Sequence, residues 1–548
     1  MPETKDISGV DLGYDNPDPK QNGSDMNHIE LREEEQLGHL ANQEDHNTGI
    51  FDSLKKYPRA CAWCVYACWT TTLVSFDNQA AGSVLGIPQF RKDFGSEYKG
   101  NYVLPTPWQS AFNAAPVASA IVGVLGAAAI ADLIGRKLTL ICALVVSFAA
   151  ISLEFAATTN PVFFGGKFLN GFAIGTIQAV MTSYIGEITP LAWRGIFTVC
   201  IGVAFGLGPL VAFIVVNFTG DLNSRWAYRV VFCCQFGFAA ISTILVPFMP
   251  ESPWWLVSKG RREQALKNLN KLGYKGEMGV TRLAAIELTL EEIKAETEGV
   301  TYIECFRRSN LRRTMISIGP LIVQVLTGIT FVAGYFTYYL QLAGYSTQES
   351  FRIQIAQPVL SIIGNLMAAA LVDRVGRRNL TFYGLVILVV LLFLEGGLAT
   401  GGSPGEIKGT VALILIYSWM YNLTIGSTAF SILTETSTSR LRVKTIAIGL
   451  ALQNSINVMW QFVLPYMFNP DRGNLGGKVA FVFGAPSFIC LLYLWFFQPE
   501  TAGRTYEELD EMFTKQIPAR KFKTFRTEAQ IKGEEGLTSV SELQKRDI

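Results

Sequence analysis

Asp132-Leu133-Ile134-Gly135-Arg136-Lys137 occurs a second time, little changed, as Asp373-Arg374-Val375-Gly376-Arg377-Arg378, 241 positions further along. Each copy lies between two long apolar stretches. Two more pairs return in the same order: Glu187 with Arg194 reappears as Glu435 with Arg442 after 248 positions, and Pro250-Glu251-Ser252 as Pro499-Glu500-Thr501 after 249. Three signatures displaced by one near-constant interval mark a duplicated half-chain unit whose charged loops fall at matching points.

The residues between these loops set the class. Of the 548 residues 49% are hydrophobic and only 17% charged, and mean hydropathy is +0.28. The apolar residues gather into runs of about 20, the length a helix needs to cross a hydrocarbon core of about 30 Å. In lipid each backbone amide must be bonded within its own segment, and these runs are too long and continuous for barrel strands. The expected fold is all-α: twelve transmembrane helices in two six-helix bundles.

Segments are expected at 60–86, 108–131, 138–158, 162–185, 195–216 and 227–249, then at 314–341, 354–372, 379–398, 410–434, 445–467 and 479–497. Residues 1–57 are polar, carry the acidic run Glu33-Glu34-Glu35, and lack the apolar core of a signal peptide, which reads as a disordered tail. Residues 58–250 and 314–498 form the two bundles. Between them, 251–313 is a charged linker with helical periodicity, and 499–548 is a charged tail. Lys and Arg of the short loops divide evenly between the two faces. Lys259, Arg261, Arg262, Arg307, Arg308, Arg312 and Arg313 of the linker break the tie and put the linker and both tails in the cytosol, with the cell membrane as the expected location.

A net charge of +1 gives no field that would draw nucleic acid. The cysteines fall mostly within apolar runs, where they act as small hydrophobes, and all three histidines lie in the first 57 residues. No metal or cofactor is expected, and no nucleophile is paired with a base as an enzyme would require. Asp132, Arg136, Glu187, Arg194, Glu251, Asp373, Arg377, Glu435, Arg442 and Glu500 are candidates for cytosolic gating. They put acids and guanidinium groups at helix ends, where such clusters can close in one conformation and part in another. The plain alternative is a set of interfacial anchors.

Five motifs in order resemble the sugar porter family of the major facilitator superfamily over about residues 57–515. They are Gly135-Arg136-Lys137; Tyr184-x-x-Glu187-x-x-Pro190-x-x-x-Arg194-Gly195; Pro250-Glu251-Ser252-Pro253-Trp254-Trp255-Leu256; Asp373 to Arg378; and Pro499-Glu500-Thr501-x-Gly503-Arg504-x-Tyr506-Glu507-Glu508-Leu509. The resemblance implies alternating access around a midplane site, with no cofactor. Gln324, Gln453 and Asn457 match amides that bind sugar in the family, and an amide offers a hydroxyl both donor and acceptor.

Other positions depart from that pattern. Gly202 and Val325 replace glutamines, Thr330 and Ser361 replace asparagines, and Phe430 replaces a tryptophan. Most replacements are smaller, which implies a substrate larger than a monosaccharide or one that is not a simple hexose. With Phe76-Asp77-x4-Gly82 and the Thr438-Ser439-Arg440-Leu441-Arg442-x-Lys444 loop, the chain resembles the fungal disaccharide and α-glucoside branch, although Thr438 stands where that loop has proline.

Asp77 and Lys167 lie within membrane segments, where each charge costs about 2.5–3.5 kcal/mol at mid-helix and needs a partner. They are expected to pair. In proton-coupled sugar porters these positions hold aspartate and arginine, and protonation of the acid opens the pair. Lysine keeps the charge and loses the bidentate fork, so the pair can gate symport or stand as a static strut. Glu154 and Glu395, near segment ends, read as interfacial. Asn217 begins a glycosylation sequon on an expected outer loop.

The expected function is proton-driven uptake of a di- or oligosaccharide, with sugar, proton and lipid bilayer as partners. A hexose facilitator, a metabolite exporter and a non-transporting sugar sensor are the alternatives.

Overall fold

A computed structural model describes residues 55–526 except 99–100, 191–193, 298–300, 402, 470–471, 503 and 505. The tail expected at 1–57 therefore lies almost wholly outside the described residues, as does the last part of the tail expected at 499–548.

The first half runs α1 (Pro58–Leu85), α2 (Pro88–Phe94), the hairpin β1 (Ser96–Tyr98) and β2 (Asn101–Val103), α3 (Thr106–Ile134), α4 (Arg136–Ala156), α5 (Asn160–Ile188), α6 (Arg194–Thr219) and α7 (Trp226–Leu245). The linker folds as α8 (Pro253–Ser258), α9 (Arg262–Leu272) and α10 (Glu277–Thr297). The second half holds α11 (Arg308–Leu326), α12 (Ile329–Leu342), α13 (Thr347–Val375), α14 (Arg377–Gly401), α15 (Pro404–Leu423), α16 (Ile425–Thr436), α17 (Arg442–Phe468) and α18 (Val479–Phe497), followed by α19 (Tyr506–Thr514). The expected two-bundle arrangement is present. Among the described residues ten helical stretches are long and apolar enough to cross a membrane, and α1 and α5, the two that carry Asp77 and Lys167, complete the twelve.

Two expected segments are each broken in two. The run 314–341 unwinds between α11 and α12 at Thr327 and Gly328, whose φ of 95° only glycine adopts easily. The run 410–434 breaks at Thr424, between α15 and α16. Unwound backbone in lipid requires internal partners, and these breaks find them in each other's neighbourhood. The Tyr417 hydroxyl donates to the Thr327 carbonyl at 2.5 Å, and Gln324 donates to the carbonyls of Ile425 at 3.0 Å and Gly426 at 2.8 Å.

The repeated loops fold alike. Gly135 and Gly376 join successive spans at φ of 96° and 92°. In the first half Arg136 Nε and Nη2 donate to Glu187 Oε1 at 3.1 and 2.8 Å, Nη1 reaches Asp132 at 3.1 Å, and Glu251 accepts the backbone amides of Arg136 and Lys137. The second half repeats this with Arg377 on Glu435 at 3.1 Å and Glu500 on the amides of Arg377 and Arg378; Thr501 also donates to Glu435. Each carboxylate thus caps a helix start while a guanidinium clamps the neighbouring helix end. Of the other gating candidates, Arg442 heads α17, and the side chains of Arg194 and Asp373 lie outside the described set. These bonds fall within their own halves.

Bonds between the halves lie at the opposite end, beside the hairpin. Ser110 donates to the Phe462 carbonyl at 2.9 Å, Asn113 to the Tyr335 hydroxyl at 2.6 Å, and Gln79 to the Ala333 carbonyl at 2.9 Å. Asn469 donates to Gln109 at 2.6 Å, and Gln341 to the Gly86 carbonyl at 2.8 Å. The conformation is therefore fastened at the hairpin end.

At Gly135 and Gly376 an added Cβ would lie 2.5 Å from Glu251 Oε2 and 2.4 Å from Glu500 Oε2. Gly135→Ala and Gly376→Ala should each cost about 1–3 kcal/mol from the left-handed backbone alone, plus the displaced carboxylate. Thermal unfolding of the purified protein checks this, and the two losses should match because the loops do.

Candidate functional site

Three buried ionic side chains meet in the first half. Lys167 on α5 is 0% exposed, and Asp77 on α1 and Glu154 on α4 are each 1% exposed. The Lys167 ammonium lies 3.1 Å from Asp77 Oδ1 and 3.0 Å from Glu154 Oε2. Asn170, one turn along α5 from Lys167, donates to Asp77 Oδ1 at 2.8 Å and to Glu154 Oε1 at 3.1 Å, while its own carbonyl accepts from Ser147 at 3.1 Å. Gln235 on α7 donates to Asp77 Oδ1 at 2.6 Å. The expected Asp77 and Lys167 pair exists as part of a larger cluster.

Local sequence explains the approach. Gly166 has no side chain, and a Cβ there would come within 2.8 Å of Glu154 Cγ, so the glutamate stem lies directly against α5. Aromatic rings then seal the cluster. Phe90 and Phe94 of α2 stack at 4.6 Å, Phe163 sits 4.8 Å from Phe112 and 5.3 Å from Phe90, and the Lys167 ammonium lies 5.6 Å from the Phe232 ring centre. Removing an ion pair from water carries a penalty of several kcal/mol per ion, and only dense internal donors offset it.

Glu154 corrects the reading that made it interfacial. Position near a segment end does not give exposure, because the glutamate stem lies against Gly166 and its carboxylate meets Lys167 and Asn170 of α5. Glu395, its counterpart on α14, is also 1% exposed, with Oε1 making no hydrogen bond and no ion pair among the described residues. A signal was available: Glu154 and Glu395 are separated by 241 positions, the interval of the repeated loops.

The polar positions of the second half form a row. Gln453 on α17 donates to Gln324 Oε1 at 2.7 Å, and Thr330 on α12 donates to Asn457 Oδ1 at 3.3 Å. Gln324 is buried and spends its NH₂ group on the α16 break, whereas Gln453 and Asn457, one turn apart, are half-buried. Ser361 stands apart. It joins Gln357 and Ser418 in the seam between α13 and α15, bonding at 3.0 and 3.1 Å.

Asn365 was missed by sequence reasoning. It accepts from Ser427 at 3.0 Å, next to the Gly426 carbonyl that holds Gln324, and it faces α6 of the other half at Gly202. A Cβ at Gly202 would meet nothing nearer than Asn365 at 3.9 Å, so the glycine leaves room between the halves. Val325 is buried, and Phe430 is 48% exposed. Gln324 is committed to its internal bonds, whereas Asn365 faces α6 across the division between the halves and Gln453 and Asn457 are half-buried, so these three amides can accept from and donate to hydroxyl groups of a polar solute.

Asn217 differs from expectation. It lies in the last turn of α6, half-buried, rather than in an extended loop, because the helix runs past the expected boundary at 216 to Thr219.

A family model described as "Sugar (and other) transporter" matches residues 63–513. The maltose permease MAL31 of Saccharomyces cerevisiae is 31% identical over 529 residues, which cover 95% of this chain and 86% of that protein. The general alpha-glucoside permease of the same yeast is 29% identical over 526 residues, covering 93% and 85%. Among solved structures, the inward open conformation of the xylose transporter XylE from E. coli matches with a TM-score of 0.68 at 20% identity, covering 82% of this chain and 99% of that one. Twelve spans in two repeated halves, with charged loops at matching ends and amides along the division, agree with the family match, and the chain belongs to the sugar transporter family of multi-pass membrane proteins.

Proposed function

We propose that this protein imports an α-glucoside, a di- or oligosaccharide, across the cell membrane by alternating access, driven by protons that enter with the sugar. Both termini and the linker lie in the cytosol on this reading, and the hairpin end faces outward. The conformation described is then closed to the outside, with the charged clusters of each half separate on the cytosolic side.

The observation that carries the coupling is the buried ionic cluster on α1, α4, α5 and α7. A carrier needing only a strut would gain more from apolar packing of the same volume, since a buried ion pair is often no better than neutral for stability. Retaining three charged groups with no water contact points to a job in the cycle. The substrate class rests on the amide row, on the room left at Gly202, and on relatives described as maltose and alpha-glucoside permeases.

Gln453 and Asn457 are proposed to bind sugar hydroxyls. Replacing either with alanine should remove a hydrogen bond of about 0.5–1.5 kcal/mol and raise the KM for sugar, by up to about tenfold at the upper value. Initial uptake rates across sugar concentrations measure this, with expression at the membrane as the control.

Uptake of labelled maltose, sucrose and glucose at two external pH values tests the whole reading. The α-glucosides should accumulate faster at the lower pH, glucose should compete weakly, and Asp77→Asn should lose accumulation. Uptake indifferent to the proton gradient would contradict proton symport, and glucose as the preferred solute would contradict the substrate class.

A further inference from the structure

We infer that Arg378 and Arg520 hold the headgroup of an anionic phospholipid in a cavity where the second half meets the membrane surface. The site lies apart from the amides and the ionic cluster, and its ligand does not depend on which solute is carried. The cavity measures about 220 Å³ and is lined by Arg378, Asn379, Phe382 and Tyr383 of α14, Trp495 of α18 and Arg520 of the tail. That is smaller than the roughly 300–1,000 Å³ of sites that enclose a whole drug-sized ligand, and it suits a headgroup whose chains stay outside.

Two cations converge on one carbonyl there. Arg378 Nη2 and Arg520 Nε both donate to the Trp495 carbonyl, at 3.1 and 3.5 Å, and both guanidinium groups lie over the Trp495 ring, 5.9 and 4.7 Å from its centre. Neither makes an ion pair with a carboxylate among the described residues. Glu500 gives its oxygens to the backbone amides of Arg377, Arg378, Thr501 and Ala502 instead. Like charges so placed repel each other, and a phosphate between them supplies both the opposite charge and the paired acceptors that a guanidinium fork matches.

The tail is folded so as to bring Arg520 to this corner. Leu509, Met512 and Phe522 are buried together with Phe513, Ile517 and Phe525 packed on them, so the segment after α19 turns back against that helix. Arg312 of α11 donates to the Ile517 carbonyl at 2.8 Å, Arg313 pairs with Asp510, and Arg504 donates to the carbonyls of Phe522 and Phe525 at 3.0 and 2.7 Å. Arg520 then follows the buried Ala519 in a short 3-10 turn and reaches the end of α18. Aromatic rings mark the membrane level. Tyr383 in the second turn of α14 and Trp495, Phe496 and Phe497 in the last turn of α18 are all exposed, as aromatic side chains at a bilayer surface are. Lipid chains pack on these rings, which makes a lipid and not free phosphate the source of the anion. Lys521, Lys523 and Arg526, exposed on the same segment, add the juxtamembrane positive charge that draws anionic lipid.

The test uses the full-length protein purified in detergent, with lipid added back. Native mass spectrometry should show wild type retaining phosphatidylglycerol in preference to phosphatidylcholine, whose phosphate sits beside a choline cation, and added salt should weaken the preference. Arg520→Gln and Arg378→Gln should each lower the affinity for phosphatidylglycerol about tenfold or more, the loss expected for a hydrogen bond to a charged group. Lys523→Gln removes the same charge from the tail outside the cavity, and its affinity should stay within about twofold of wild type. Inorganic phosphate at millimolar concentration should leave the lipid in place. Equal retention of the two lipids, an Arg520→Gln variant that binds like wild type, an equal loss in Lys523→Gln, or displacement by inorganic phosphate would each overturn the inference. Arg378 adjoins the Arg377 clamp, so should Arg378→Gln fail to fold, Arg520→Gln on the exposed tail decides.

Discussion

The Lys167 ammonium is buried among the helices of the first half and has no access to water, so its countercharge has to come from the protein. The structure supplies two, Asp77 and Glu154, on two different helices, and then arranges Asn170, Gln235 and a cover of phenylalanine rings around them. Much of the first half follows from that arrangement. α1 and α5 stand outside the ten stretches that are apolar enough to cross a membrane, and their two charges meet each other inside the bundle. Gly166 is small because a glutamate stem passes over it.

The second half answers the same problem of a low-dielectric interior differently. It holds Glu395 without an ion pair among the described residues and places its polar capacity in amides and in two interrupted helices. The breaks at Thr327 and Thr424 release carbonyls that would be costly in lipid, and Gln324 and Tyr417 bond to them. Backbone of this kind is tolerated where it is enclosed by protein or lines a cavity, as in transporters with discontinuous spans. The duplication gave both halves one frame, and the first half specialised in charge while the second specialised in hydrogen bonding.

Much of this was legible in the sequence because it depends on period and spacing. The duplicated loops, the number of spans, and the pairing of Asp77 with Lys167 follow from displaced motifs and from the cost of charge in lipid. Gln324, Gln453 and Asn457 were found by resemblance, and the structure brings them together through direct or neighbouring bonds. The features missed depend on contacts distant in sequence. Glu154 looked interfacial because depth along a helix was the only coordinate available, whereas its stem and carboxylate are enclosed by Gly166, Lys167 and Asn170 of α5. Asn365 gave no signal in a row of apolar residues until Gly202 was seen opposite. The two helix breaks were hidden inside apolar runs, where Gly328 and Thr424 resemble ordinary membrane residues.

One end of the division between the halves is fastened by hydrogen bonds, while the clusters at the other end each close on themselves. Spin labels report this most directly. One pair at Glu97 and Gln348 spans the hairpin end, and a second at Leu133 and Arg374 spans the linker end. Double electron–electron resonance should find the two distances changing in opposite senses when sugar and a proton gradient are supplied, the first lengthening as the second shortens. Distances that stay fixed, or that lengthen together, would contradict an account in which two halves rock about a shared site.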